Sequence, residues 1–149
     1  MTQPTFPAAL GAPRMALRIG LGLAAFLAGL DKFIGLLADW PAYLAPAIAA
    51  ALPVSPDALM RIAGIIEMVV GVAILTRWTR EGAWVAMVWL VLIAGNLVLS
   101  GRFFDVAVRD VEMAIAAFAL ARLTEVHAAA TGAGAIRTSQ SRGRAEVAA

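Results

Sequence analysis

The sequence predicts an all-α integral membrane protein, a four-helix bundle with both termini in the cytoplasm. Three observations carry that reading. Of 149 residues, 62% are hydrophobic and only 15% charged, and the mean hydropathy is +0.84. A soluble domain of this length is nearer half apolar, so a bilayer must cover the excess. Apolar runs at 15–37, 57–76, 82–101 and 106–125 are each long enough, at about 1.5 Å per residue, to cross about 30 Å of hydrocarbon. None of the four alternates with a period of two, and Ala, Leu, Met, Ile, Val and Gly dominate them, which points to helices and not to barrel strands.

Each run has boundary signals. Pro13 opens the first and Trp40-Pro41 follows it; Ser55-Pro56-Asp57 caps the second; RWTRE at 77–81 is a charged turn before the third, and Ser100-Gly101-Arg102 closes the third. Trp40, Tyr43, Trp78 and Trp84 lie near boundaries, the depth that amphipathic rings prefer, whereas Trp89 lies deeper, as a packing residue does. The connection at 38–56 contains AYLAPAIAAAL, too short to span and broken by Pro46. It reads as an interfacial or re-entrant cap, with a plain exposed loop as the alternative. From 126 to 149 the chain is small, polar and basic without an apolar period, the pattern of a disordered tail. Residues 1–13 form a short N-terminal segment.

Orientation follows from the cations. Arg14, Arg18, Arg77, Arg80, Arg122, Arg137, Arg142 and Arg144 fall on one side, and Lys32, Arg61, Arg102 and Arg109 on the other. The more basic side belongs in the cytoplasm, so the chain is expected to be a multi-pass membrane protein with both termini on that side.

Composition also excludes chemistry. With no cysteine, the chain offers no disulfide, thiol relay, zinc–thiolate site or cysteine-bound iron–sulfur cluster. With one histidine, His127, it offers no bis-histidine haem and no Ser/His/Asp triad is apparent. Neither metal nor haem is expected. The formal charge of +2 is scattered and not gathered on one face, so nucleic acid is not an expected partner. The expected partners are the lipid bilayer and further copies of the chain.

The sharpest feature is Glu67, alone in RIAGIIEMVVGVAIL at 61–75. A charge near the bilayer centre costs about 3 kcal/mol on insertion scales, so it is read as functional unless a partner explains it. Gly64, Glu67 and Gly71 share one helix face, and Arg18, Gly22, Ala25, Gly29 and Lys32 form a narrow stripe on the first helix. Glu67 lies ten residues after Asp57, about 15 Å deep. Lys32, five residues before Leu37, is about 7–8 Å deep. Helical side chains lean toward their own N-terminus, so on antiparallel helices Lys32 leans inward and Glu67 outward. The spacing therefore predicts a Lys32–Glu67 pair as the candidate catalytic groups. Asn96 lies beside them, and Arg61, Arg109 and Asp110 rim a vestibule as candidate ligand-binding residues. The bland alternative is polar glue between helices, and Arg18 reads as snorkelling to headgroups.

The segments RIGLGLAAFLAGLDK at 18–32, GIIEMVVG at 64–71 and VAVRDVEMAIAAFALARL at 106–123 resemble the DoxX family of small bacterial membrane proteins, over about 14–125. The resemblance implies a four-helix membrane bundle with Arg18, Lys32, Glu67, Arg109 and Asp110 at the matching polar positions. It also implies association with membrane redox systems, with a membrane or cytoplasmic redox protein as partner and hence a quinone as the expected cofactor. A noncatalytic assembly protein and a carrier for a small ligand are the competing readings.

Overall fold

The computed structural model describes the backbone of residues 10–147 and the side chains of residues 10–132. Residues 1–9 and the side chains of Arg137, Arg142 and Arg144 lie outside the described residues.

All the regular structure described is helical. Among the described residues five α-helices form, where the sequence predicts four: α1 (Gly11–Ile34), α2 (Pro46–Ala51), α3 (Pro56–Leu75), α4 (Thr79–Leu99) and α5 (Phe104–Val147). The extra helix, α2, follows a 3-10 turn at Trp40–Tyr43 inside the predicted cap. Its start is set by Pro46 at the first helical position, after Ala45 in an extended conformation. α5 continues to Val147, past residue 125, where the tail is expected to begin.

α3 and α4 are long and apolar enough to cross a bilayer by length and composition. α1 and α5 are more heavily charged: Arg14, Arg18, Asp31 and Lys32 lie along the one, and Asp105, Arg109, Asp110 and Glu112 open the other. α1 packs chiefly on α3 and α4 on α5, and smaller contacts of α3 with α4 and of α1 with α5 close the bundle. Size is distributed inside out. The buried positions are largely alanines, among them Ala83, Ala86, Ala94, Ala107, Ala114, Ala117 and Ala121, while Ile62, Ile65, Val69, Val85, Leu92 and Ile115 are exposed. A soluble core would reverse that order, whereas small residues inside and large ones outside suit helices packed in lipid.

Helix ends follow from local chemistry. Ser55 Oγ accepts from the Ala58 N–H at 3.2 Å and starts α3 with Pro56. α1 ends at Gly35, whose φ of 70° places it in the left-handed region that a Cβ disfavours. At the far end of α3, Arg18 donates to the Ile74, Leu75 and Thr76 carbonyls at 3.1, 2.6 and 2.8 Å. Arg18 thus caps α3, satisfying carbonyls that have no partner within the helix.

The α1–α3 crossing sets up everything above it. A Cβ on Gly29 would lie 2.5 Å from the Gly64 carbonyl oxygen, and one on Gly71 would lie 2.7 Å from that of Gly22. Only glycine permits main chain against main chain at both points, seven residues apart on each helix.

Candidate functional site

The glycine contacts bring Lys32 and Glu67 together. Lys32 Nζ lies 2.6 Å from Glu67 Oε2, with the side chains 6% and 9% exposed. The other carboxylate oxygen, Oε1, accepts from the Trp89 indole N–H at 3.4 Å. The ammonium also lies 3.7 Å from the centre of the Trp40 ring, a cation–π contact. Glu67 thus holds a cation and a donor, and Lys32 is enclosed between a carboxylate and an aromatic face.

Trp40 is fixed in turn by Asp31. Its indole N–H donates to Asp31 Oδ2 at 2.8 Å, and the same buried carboxylate accepts from the Leu36 and Leu37 backbone N–H groups at 3.0–3.1 Å. Asp31 therefore folds the chain leaving α1 back over Lys32. Asn96, on α4, grips the next part of the cap: its Oδ1 accepts from the Ala45 N–H at 2.9 Å and its Nδ2 donates to the Tyr43 carbonyl at 2.8 Å. Tyr43 packs on Phe103, with ring centres 4.4 Å apart. Phe103 has a φ of 59°, a conformation a bulky residue adopts only when its surroundings hold it there.

A cleft of about 360 Å³ opens between the C-terminal end of α1 and the N-terminal end of α3, lined by Lys32, Phe33, Ile34, Trp40, Met60 and Arg61 among others. The candidate residues divide around it. Lys32 and Arg61 border it, Arg61 exposed. Asn96 has both polar atoms engaged by the cap and does not join the Lys32–Glu67 pair. Arg109 is exposed and forms no ion pair among the described residues, neither with Asp105 nor with Glu112. Asp110 is buried in the field of Lys32, Glu67 and Arg109, without a hydrogen-bond partner among the described residues and away from the cleft lining. No group of three or more potential metal ligands occurs among the described residues.

Three residues of this arrangement escape the sequence reading: Trp89, Trp40 and Asp31. Trp89 carries a usable signal. It lies ten residues into α4, and Glu67 eight residues before the end of α3, about 15 and 12 Å from the same turn. An indole N–H at that depth needs an acceptor. Asp31 and Trp40 carry none, because their meeting depends on the path of an irregular loop.

At the opposite end, Arg80 Nε donates to Glu125 Oε1 at 2.9 Å, and Arg122 pairs with the same carboxylate. This exposed cluster ties the first turn of α4 to α5 and lies far from the cleft.

No curated protein and no solved structure matches the chain significantly. The sequence profile of the DoxX family matches residues 14–101. The match takes in α1 through α4, with Lys32, Glu67, Trp89 and Asn96, and stops before the RDVEM segment of α5. Covering more than half of the sequence, it shows that the chain belongs to the DoxX family of membrane proteins.

Proposed function

We propose that this protein is a redox-associated subunit of the bacterial inner membrane, with four spans and cytoplasmic termini, that holds a quinone or a similar small amphipathic ring molecule in the cleft at the outer ends of α1 and α3. The observation that carries this reading is that a charged, nearly enclosed ammonium borders an open cleft of ligand size. Part of the lining fits such a molecule, beside the carboxylates of Asp39 and Asp57. Phe33, Ile34 and Met60 offer apolar walls, and Lys32 and Arg61 offer N–H donors to ring oxygens. A bound quinone would supply two-electron, two-proton redox chemistry. Glu67 holds Lys32 in place and keeps its charge balanced; Trp40 shields the pair from water. The eight cations assigned to the cytoplasmic side support the orientation. A membrane or cytoplasmic redox protein is the proposed partner, and self-association belongs to the same proposal.

Solvent extraction of the protein, purified in mild detergent, tests the reading: a quinone or other lipidic ring compound is expected at a fixed molar ratio, and depleted from the Lys32→Met variant. Extracts without such a compound overturn it. One observation favours a second reading, a noncatalytic assembly partner: the Lys32–Glu67 pair is satisfied wholly within the chain by Trp40 and Trp89. A Glu67→Gln variant that keeps its thermal stability but loses the extracted compound counts against that alternative.

A further inference from the structure

The cap over the site is attached at few points. Neither the 3-10 turn at Trp40–Tyr43 nor α2 contains a buried residue. Between them, Ala45 alone is fully buried, at the point where its N–H reaches Asn96. The polar attachments are the two bonds of Asn96 and the indole bond of Trp40 to Asp31; the apolar ones are the packing of Tyr43 on Phe103 and the Ala94–Leu97–Ala107 cluster and a small contact of the 3-10 turn with α3. A segment with little buried apolar surface and a few polar fastenings opens at lower cost than the helices beneath it. What it covers is specific. The Trp40 ring lies directly on Lys32 and borders the cleft, so displacing that one ring uncovers the ammonium without disturbing either glycine contact between α1 and α3.

We propose that Trp40 is the positioning residue of this site and that the segment carrying it, latched on Asn96, is a hatch: the ring holds the Lys32 ammonium against Glu67 when closed, and admits a ligand to it when displaced. The proposal rests on the reading of the cleft as a ligand site, but its test needs no ligand. Lys32 is the only lysine in the chain, so acylation by a small amine-reactive ester, read by mass spectrometry on the peptide containing residue 32, reports its accessibility without interference from another lysine.

In lipid nanodiscs, Asn96→Leu keeps the branched side-chain shape but removes both latch bonds. It is expected to raise the Lys32 acylation rate by about tenfold, the order expected for two ordinary hydrogen bonds. Trp40→Ala is expected to raise it at least as much, and Trp40→Phe, which keeps a ring face over the ammonium but loses the bond to Asp31, to fall between the native rate and that of Trp40→Ala. Helical circular dichroism and the melting temperature are measured on each. Faster acylation with unchanged helicity supports the hatch. Rates that stay native in both Asn96→Leu and Trp40→Ala overturn it, as does acceleration that appears only with loss of helix, since the cap is then a fixed roof. An empty solvent extract would remove the quinone reading and leave this result as it stands.

Discussion

Between α1 and α3 two glycine pairs bring main chain against main chain, whereas α4 and α5 meet through methyl groups, with Ala83, Ala86 and Ala94 on one helix and Ala107, Ala114, Ala117 and Ala121 on the other. The first interface contains a buried ion pair; the second contributes none among the described residues. Alanine packing tolerates small adjustments because each methyl contact is weak and many are shared. Backbone contact leaves no such freedom, so α1 and α3 hold long polar side chains at fixed positions. A site built on that pair inherits its rigidity, and α4 adds Trp89 and Asn96 from the side.

Substitutions can break this contrast or refine it. Lys32→Met should be the most damaging, because it leaves Glu67 buried without its cation, at a cost of about 3–5 kcal/mol. Pairing it with Glu67→Leu should recover most of the lost melting temperature; a double variant no more stable than the single one would show that the ion pair is not what the crossing protects. Gly29→Ala should follow, at about 1–3 kcal/mol for overpacking, or roughly 3–10 °C in thermal midpoint, because its methyl would meet the Gly64 carbonyl. Arg18→Met should cost about 2 kcal/mol through the uncapped end of α3, visible as faster hydrogen exchange confined to residues 74–76. Gly20→Ala serves as the contrast: nothing lies within 4 Å of the position, and the gain in helix propensity should leave stability unchanged or higher by up to about 1 kcal/mol. A melting temperature that fell as far for Gly20→Ala as for Gly29→Ala would erase the distinction between the two glycine classes.

The core of the candidate site is legible in the sequence. The stripe Gly22–Gly29–Lys32 and the face Gly64–Glu67–Gly71 specify which sides meet, and the opposed lean of side chains on antiparallel helices brings the charges to one depth. Periodicity reaches no further than the helices. Asn96, expected beside the ion pair, gives its amide to the cap backbone instead, because unpaired peptide groups at 43 and 45 compete for it and only the loop's path reveals them. Arg18 reads as a headgroup contact until the end of α3 is placed beside it. Arg109 and Asp110, adjacent in sequence, separate by the 100° between neighbouring helical residues, one exposed and one buried. The α5 extension to Val147 runs through residues with no apolar period, which left nothing for a pattern to register.

The paired glycines also set rules for length. Gly22 opposes Gly71 and Gly29 opposes Gly64, so the seven-residue intervals must agree, while the connecting cap faces no such requirement. One residue inserted between Gly64 and Glu67 would rotate the carboxylate by about 100°, out of the crossing and toward acyl chains. Insertions and deletions in this chain should accordingly be tolerated between 47 and 54 and refused between 64 and 71.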